Sequence, residues 1–277
     1  MQDRNFRMSR RPQALLAPQA DTIPAPFYNV RESDESHRRL LHDMQRLRGR
    51  VYLSDGAIKP YELTPDGRHE TVLDGECWHL LTLDESGRVG GCVRLRIHSP
   101  WARFEDLGVS RSALARCSQW GARLRACVEA QLRTARRQRI PFVEIGGWAL
   151  TEQMRHSMEA MRIALGAFAF GQLFGGALGI TTATVRNHSS SILSRIGGKG
   201  LTFGDATLPG YYEPQYGCDM EILSFEAEDY DTRYRSKVAD LTDQLAMAPV
   251  YTATAKPAEW MVAANVHSGV LARAAAV

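Results

Sequence analysis

The stretch FVEIGGWAL at residues 142–150 decides the fold of this chain. Its β-branched and aromatic residues predict a strand, and Gly146 and Gly147 indicate a bulge or a close backbone approach within it. Thr151 can then cap a helix that begins near Glu152. A strand that runs directly into a helix N-terminus can present free amide groups to an anionic or carbonyl group.

Periodic segments on both sides of this stretch predict alternating strands and helices. Leu40, Met44 and Leu47 have the spacing of one helix face and predict a short helix that leads into a strand at 51–53. The other predicted elements are a β-hairpin (77–83 and 88–97), a helix (112–137), the strand at 142–150, a helix from residue 152 to the glycines at 175–176, a strand (179–185), a helix (190–196) and a strand (218–225). This order predicts an α/β fold with a mixed sheet and helices packed over it.

The two ends of the chain lack this periodicity. Residues 1–35 alternate proline, polar and charged residues, which predicts a flexible arm. Residues 246–277 are rich in alanine and are predicted to form a weakly patterned tail. The chain has 277 residues, of which 44% are hydrophobic and 23% charged, as is typical of a globular protein. We therefore expect one domain over residues 36–245.

Charge and cysteine content argue against several classes of site and partner. The net charge of +3 does not indicate nucleic-acid binding, so no nucleic-acid partner is expected. The five cysteines have no C-x-x-C spacing, which argues against a zinc site and against a disulfide framework. No metal is expected. Residues 1–26 lack the continuous apolar segment of a secretory signal, so a cytoplasmic location is expected.

Five short motifs, taken in order, resemble a known superfamily. They are Arg50-Val51-Tyr52, Asp74 shortly before Trp78-His79-Leu80-Leu81, Gly90-Gly91-Cys92-Val93-Arg94-Leu95, Phe104-Glu105-Asp106-Leu107 and Val143-Glu144-Ile145. Over residues 40–226 their order and spacing resemble the GNAT superfamily, and within it the autoinducer-synthase branch of acyl-homoserine-lactone synthases and long-chain N-acyl amino acid synthases. The resemblance implies a splayed central sheet flanked by helices. One strand of that sheet separates from its neighbour and leaves backbone amides free for the pantetheine and thioester carbonyl of an acyl donor.

The sequence departs from that superfamily at two motifs. Acyl-homoserine-lactone synthases usually carry Glu-x-x-Arg-Phe at the central strand, whereas Gly147 stands here where the arginine would fall. This departure favours an N-acyl amino acid over a homoserine lactone as the product. The GNAT pyrophosphate motif, Arg/Gln-x-x-Gly-x-Gly/Ala, is missing after Thr151. In the autoinducer branch a similar absence accompanies the use of acyl carrier protein as the donor.

Two charged residues are the first candidates for chemistry. An amine attacks a thioester only after losing a proton, and Glu144 is the candidate general base. Its hydrophobic neighbours predict partial desolvation and a raised pKa. The alternative is a structural carboxylate that pairs with an arginine such as Arg94. Arg94 matches a family arginine that can bind the acceptor's carboxylate bidentately, or it is a surface arginine of the strand.

Other candidates would shape the acceptor pocket or protonate the leaving group. Asp74, Trp78 and Trp148 are expected to contact the acceptor, with a core position as the alternative for a tryptophan. Tyr212 lies beyond the helix where many GNAT enzymes place a tyrosine that protonates the leaving thiolate. A packed loop tyrosine is the alternative reading of the same position.

The donor is expected to lie along the irregular strand and the helix after it. Gly146, Gly147, Leu150 and Arg155 are the candidate contacts for the donor. Residues 163–180 carry no charge, which approaches the length of a membrane-spanning helix, but their five glycines make membrane association the disfavoured alternative. A buried helix fits better. With Met158, Met161 and Phe168 it either lines a tunnel for the acyl chain or packs as core.

Arginines crowd the predicted helix at 112–137. Acyl carrier proteins are acidic, so these arginines form a candidate docking face, with a solvated basic face as the alternative. The predicted function is transfer of a medium or long acyl chain from an acyl carrier protein or acyl-CoA to the amine of an amino acid or related small molecule, without a permanently bound cofactor. The alternatives are an acyl-homoserine-lactone synthase, a small-group acetyl-CoA acetyltransferase and a GNAT-like module that binds without catalysis.

Overall fold

One mixed β-sheet with helices on both faces organises the protein. The structure is a computed structural model and describes residues 11–19, 23–155 and 157–253. The strands are β1 (Gln13–Leu16), β2 (Val30–Glu32), β3 (Trp78–Leu83), β4 (Val89–His98), β5 (Phe142–Leu150), β6 (Leu178–Thr184), β7 (Lys199–Gly200), β8 (Thr202–Phe203), β9 (Ala206–Thr207), β10 (Tyr211–Glu213), β11 (Cys218–Glu226) and β12 (Val250–Thr252). The helices are α1 (Asp34–Ser54), α2 (Ala113–Arg116), α3 (Gly121–Gln138), α4 (Glu152–Arg155), α5 (Glu159–Leu173), α6 (Ser189–Ile196) and α7 (Arg235–Met247).

The sheet runs in the order β10-β11-β6-β5-β4-β3-β1-β12-β2, and β7 pairs with β11. Neighbouring strands are antiparallel except for three parallel pairs, which are β5 with β6, β1 with β12 and β12 with β2. The strands β8 and β9 form a small separate hairpin. This mixed sheet flanked by helices confirms the predicted fold class.

The helices divide between the two faces of the sheet. On one face α5, α6 and α7 bury residues such as Leu165, Ile196 and Leu241 in a single hydrophobic cluster. On the other face α2 and α3 pack around Leu124, and α1 packs around Leu47 beside β3 and β4. Each fully buried leucine contributes about 1.5–3 kcal/mol to stability, so both faces of the sheet are held by their helices.

The segment at residues 51–53, predicted as a strand, is the last turn of α1. The prediction is wrong because Val51 continues the helical spacing of Leu40, Met44 and Leu47, and all four pack in one cluster on the sheet. At the other end Ser33 caps the helix, since its hydroxyl oxygen accepts a hydrogen bond from the Ser36 backbone N–H at 3.2 Å.

Both terminal segments contribute strands to the sheet, which corrects the predicted edges of the domain. Residues 13–16, placed in the flexible arm, form β1, which is fully buried between β3 and β12. Residues 250–252, placed in the tail, form β12. The prediction failed because β1 and β12 pair across more than 200 residues of sequence, a contact that local periodicity cannot reveal. Residues 30–32, also in the predicted arm, form β2. Of the predicted arm and tail, residues 1–10, 20–22 and 254–277 lie outside the described residues.

Two long predicted helices are divided in the structure. The predicted helix at 112–137 is α2 and α3, and the one that starts at residue 152 is α4 and α5. In the parts of the chain that are described, no helix is long and apolar enough to cross a membrane. The uncharged residues 163–180 instead comprise most of α5, a turn and the start of β6.

Candidate functional site

A β-bulge in β5 opens the sheet at its centre. Arg94 of β4 pairs with Gly146 and Cys92 with Ala149, so β5 carries one extra residue between these pairs. Gly147 lies in this bulge with φ of 63°, a left-handed conformation that favours glycine. A Cβ at Gly147 would also lie 3.1 Å from the Cβ of Arg94. Both constraints explain why glycine occupies this position, and the bulge predicted from the sequence is confirmed.

Beyond the bulge, β5 separates from β6. Their parallel pairing covers Phe142 to Ile145 opposite Leu178 to Thr181, although β5 continues to Leu150 and β6 to Thr184. At the end of this paired region, the Thr181 hydroxyl of β6 donates a hydrogen bond of 2.8 Å to the carbonyl oxygen of Ile145 in β5. Main-chain groups on the facing edges past this point are therefore available to a ligand. The splayed sheet expected from the sequence resemblance is present.

A cavity of about 1230 Å³, the main cavity, lies at this gap between β5 and β6. Its lining includes residues of both separated strand segments and of both faces of the sheet. We name its two regions the apolar arm, under α5, and the polar arm, on the face that carries α1 and α3. The two arms meet at the gap between the strands.

The apolar arm contains small and hydrophobic side chains. They are Ala160, Ile163, Ala164, Ala167, Phe168, Gly171, Ala177, Ala183, Phe225 and Ala227. Phe168 packs edge to face on Phe225, with ring centroids 5.5 Å apart, and so forms a rigid part of the wall. Alanine and glycine leave open space between α5 and the sheet. This shape suits a hydrocarbon chain.

The polar arm contains an arginine without a carboxylate partner. Arg94 is half-buried, and its Nη1 makes a long hydrogen bond of 3.5 Å to the hydroxyl oxygen of Thr71. Among the described residues, no carboxylate lies within 4.0 Å of its guanidinium. Thr71 is in turn held by Asp74, to which its hydroxyl donates at 2.9 Å. The polar arm therefore contains a positioned cation whose charge is not neutralised locally.

Asp74 supports this arginine from the interior and does not line the cavity. It is buried and makes a bidentate ion pair with Arg48, with distances of 2.8 and 2.6 Å. This pair holds the pKa of Asp74 well below its usual range: burial opposes ionisation, but the hydrogen bonds from Arg48 and its charge outweigh that effect. Asp74 is therefore not positioned in the main cavity as expected, and it reaches Arg94 only through Thr71.

Glu144 lines the polar arm and is held by three donors. Its carboxylate accepts hydrogen bonds from the backbone N–H groups of Gly108 at 3.0 Å and Val109 at 3.1 Å, and it lies 3.3 Å from Nε2 of His98. Burial alone would raise the pKa of Glu144, but the hydrogen bonds from His98 and the two amides outweigh burial and lower it. The predicted increase in pKa is wrong, and the alternative pairing with Arg94 is replaced by one with His98.

Arg155 lies at the mouth of the main cavity in a cluster centred on Asp55. It forms a bidentate ion pair with the Asp55 carboxylate at 2.7 and 3.1 Å. The side-chain amide of Asn187 donates to the same carboxylate at 3.1 Å, and Arg186 donates to the backbone carbonyl of Asp55. Asp55 directly follows α1, Arg155 ends α4, and Arg186 and Asn187 lie in the loop after β6, so the cluster holds these three parts of the chain together around the mouth.

The structure brings most of the other predicted site residues to the main cavity. Those that line it are Arg94, Glu144, Gly146, Gly147, Trp148, Leu150, Arg155 and Phe168. Met158 and Met161 are not part of its lining. Trp78 is core instead, because its ring stacks on Phe27 with centroids 5.0 Å apart.

Tyr212 points away from the main cavity and is 58% exposed. It lies in β10, where side chains alternate between faces, so its neighbours Tyr211 and Glu213 face the cavity instead. Tyr216 lines the cavity as well. Burial raises the pKa of both Tyr211 and Tyr216. Their hydroxyl groups therefore remain protonated at neutral pH, and strand alternation was the sequence signal that could have selected Tyr211.

The cysteines lie away from the main cavity. All five lie in the described part of the chain, and none of them lines the main cavity. Burial raises the pKa of Cys77 and of Cys92 to about 11. Since the thiolate is the reactive form, neither residue is a nucleophile at neutral pH.

No protein-family model matches the sequence, and no curated protein matches it. Among solved structures, the chain is similar to a CoA-dependent acyl-homoserine lactone synthase, BjaI, solved with SAM and isopentyl-CoA. The two are 13% identical over 92% of this chain and 99% of BjaI, with a TM-score of 0.50.

Two further structures are similar to this chain. A second structure of BjaI, with MTA, is 14% identical over 92% of this chain and 99% of its own, with a TM-score of 0.50. FeeM, an N-acyl amino acid synthase from uncultured soil microbes, is 12% identical over 70% of this chain and 86% of its own, with a TM-score of 0.44. The similarity to BjaI shows that this chain has the fold of an acyl-homoserine lactone synthase, as the motifs in the sequence predicted.

Proposed function

We propose that the protein is an N-acyltransferase that moves a medium or long acyl chain from a thioester to the amine of an amino acid or a related small molecule. The observation that carries this proposal is the position of the main cavity at the gap between β5 and β6, where its apolar and polar arms meet. An acyl chain in one arm and an acceptor in the other would bring the thioester carbonyl and the amine together at the gap.

The reaction needs no covalent intermediate on the protein. The amine nitrogen attacks the thioester carbonyl carbon, the tetrahedral intermediate collapses, and the thiolate leaves. Main-chain N–H groups on the unpaired edge of β5 are available to stabilise the oxyanion. Tyr211 and Tyr216 are the candidate proton donors to the thiolate, because both line the cavity and both remain protonated at neutral pH.

Glu144 would act as the proton acceptor for the incoming amine. Its lowered pKa keeps it ionised at neutral pH, so it can attract an ammonium group and receive a proton from it. A carboxylate with a low pKa is a weak base, and it works best when the proton is passed on rapidly. Its hydrogen bonds from Gly108 and Val109 also fix the loop that covers the polar arm.

Arg94 would bind the acceptor's carboxylate. It is the half-buried cation in the polar arm that lacks a carboxylate partner among the described residues, and a guanidinium matches a carboxylate bidentately. The glycine at position 147, in place of an arginine, favours an amino acid over SAM as the acceptor. BjaI was solved with SAM and isopentyl-CoA.

The donor would be either an acyl carrier protein or acyl-CoA, and the surface charge favours the carrier protein. The arginines at positions 125, 133, 136 and 137 are exposed on α3. Arg111, which precedes α2, is exposed at the cavity itself. A basic surface that reaches the cavity suits an acidic carrier that delivers its pantetheine arm into the gap.

The test is a matrix of donors and acceptors with the purified protein. Dodecanoyl and butanoyl thioesters on acyl carrier protein and on CoA would each be incubated with a panel of amino acids and with SAM, and products would be identified by mass spectrometry. We expect an N-dodecanoyl amino acid as the main product. Transfer of butanoyl groups alone, or no amide with any pair, would contradict the proposal.

A further inference from the structure

Three arginines lie where the main cavity opens to solvent. Arg50 is near the end of α1, Arg155 ends α4, and Arg186 lies in the turn after β6. All three line the main cavity, and all three are exposed. Asp55, which directly follows α1, lines the cavity as well. We call these four residues the mouth cluster.

Asp55 fixes two of these arginines but neutralises only one charge. Its carboxylate accepts two hydrogen bonds from Arg155, and its backbone carbonyl accepts one from Arg186. Among the described residues, no carboxylate lies within 4.0 Å of the guanidinium of Arg50 or of Arg186. Glu152, at the start of α4, is the second carboxylate at this end of the cavity. The arginines outnumber the carboxylates, so this end attracts anions.

The helix that follows the turn adds to this attraction. His188 is the N-cap of α6 and comes directly after Arg186 and Asn187, and both His188 and Ser189 line the cavity. The first turn of α6 contains no acidic residue. Since the N-terminus of a helix carries a partial positive charge, α6 supports an anion that the arginines bind.

The separated strands β5 and β6 connect the mouth cluster with the gap. Their pairing ends at Ile145 and Thr181. Beyond these residues the cavity is lined by residues 146–153 on one side and by residues 181–184 on the other. At about 3.3 Å per residue, β6 extends about 10 Å past Thr181 before the turn that contains Arg186. A continuous path therefore leads from the gap to the mouth cluster.

The donor of the proposed reaction has an anionic group at the matching place. CoA and acyl carrier proteins both carry the acyl group on a pantetheine arm, and the other end of that arm is a phosphate. With the thioester at the gap and the acyl chain in the apolar arm, the pantetheine would follow the free edges of β5 and β6 to the mouth. A guanidinium can bind a phosphate through two parallel hydrogen bonds, so arginine suits this end of the path.

We propose that the mouth cluster binds the phosphate of the donor's pantetheine arm, and that Arg50 and Arg186 donate hydrogen bonds to the phosphate oxygens. Asp55, held by Arg155, anchors Arg186 in this position. The backbone phosphate motif is missing after Thr151, and side chains from α1 and from the turn after β6 take its place. The inference rests on the proposed function and adds the part of the donor that CoA and carrier proteins share.

Dodecanoyl donors that differ only in their phosphate test this site. The double variant Arg50→Gln/Arg186→Gln should raise the KM for dodecanoyl-phosphopantetheine about 10- to 100-fold. It should change the KM for dodecanoyl-pantetheine, which has no phosphate, by less than about threefold. Arg38→Gln/Arg195→Gln is the matched control, because it removes exposed arginines of α1 and α6 that do not line the cavity. This control should keep both KM values.

Titration calorimetry with the corresponding dodecyl thioethers, which cannot react, gives the same comparison without turnover. An equal loss of affinity for both analogues, or a loss below about threefold for the phosphorylated one, would overturn the phosphate site. A loss seen only with dodecanoyl-CoA would assign the arginines to the nucleotide phosphates and would overturn it as well. Absence of product from the wild-type protein with every donor would contradict the proposed function, while the titration would still decide the phosphate site.

Discussion

Arg94 is the residue at which acceptor recognition can be tested most directly. Arg94→Gln should raise the KM for an amino acid acceptor about 10- to 100-fold, because a charge-assisted hydrogen bond to a carboxylate contributes about 1.5–3 kcal/mol. The value of kcat at saturation should change much less. Steady-state kinetics with an amino acid and with its carboxamide would check this. An equal loss with both acceptors would show that Arg94 does not bind the carboxylate.

Replacement of Glu144 tests the proton acceptor. Glu144→Gln should lower kcat about 100-fold or more, since the amide cannot accept the ammonium proton. The amide NH₂ group would also face the N–H donors of Gly108 or Val109, which costs about 1–3 kcal/mol of stability. Kinetics combined with thermal unfolding would separate the two effects. Activity within threefold of the wild-type value would exclude Glu144 as the base.

The sequence predicted the position of Glu144 beside the bulge but not the groups that donate hydrogen bonds to its carboxylate. The motif around the double glycine placed this carboxylate next to the bulge, where the structure has it. Its donors are Gly108, Val109 and His98, which lie 35 to 46 positions away in sequence. Flanking hydrophobic residues predicted only the effect of burial on the pKa, and the contribution of distant donors reversed it.

At the scale of elements, α5 sets the width of the apolar arm. Ala167 of α5 is half-buried, packs against the hydrophobic cluster between α5 and the sheet, and lines the main cavity. A larger side chain at this position would therefore occupy space that the acyl chain needs. Ala167→Leu should lower kcat/KM for a dodecanoyl donor about tenfold or more and change that for a butanoyl donor by less than about threefold. Competition between the two donors, read by mass spectrometry, measures the change.

A matched control keeps this prediction specific. Ala130→Leu adds the same side chain to α3 at an exposed position that does not line the cavity. It should leave the ratio between the two donors unchanged. If Ala167→Leu also left this ratio unchanged, the acyl chain would not lie beside α5.

Elements with strong local periodicity were predictable from the sequence. β3, β4, β5, β6 and β11 were expected close to where they occur, and α3 occupies most of the helix predicted at 112–137, because each alternates or repeats within its own span. The strands β1 and β12 were not predictable in this way. Each is only three or four residues long, and each is stabilised by pairing with a strand that is distant in sequence. The opening between β5 and β6 was expected through the sequence resemblance and not through periodicity.

At the scale of the whole molecule, buried ionisable groups should make stability depend on pH. Arg48, Asp74 and His79 form one buried network between α1 and β3, in which Nε2 of His79 lies 2.9 Å from the backbone oxygen of Asp74. Burial lowers the pKa of His79 to about 4. Burial also lowers the pKa of His37 and of His69. All three histidines are therefore neutral in the folded protein at pH values where the unfolded chain is protonated.

The sign of the effect follows from proton binding. An unfolded histidine has a pKa near 6.5, so between about pH 6.5 and pH 4 the unfolded state binds a proton that folded His79 excludes. Stability is therefore lost as the pH falls through this range, by about 2 kcal/mol for His79 alone between pH 7 and pH 5. Below about pH 4 protonation of Asp74 in the unfolded state adds to the loss, since its folded pKa is also lowered.

His79→Gln isolates this contribution, because the amide nitrogen can still donate to the Asp74 carbonyl but does not titrate. Between pH 7 and pH 5, we expect the free energy of unfolding to fall more in the wild-type protein than in the variant. The two losses should differ by about 2 kcal/mol. Urea unfolding at both pH values measures the difference. Parallel slopes would mean that His79 binds its proton equally well in the folded and unfolded states, which would contradict the lowering of its pKa by burial.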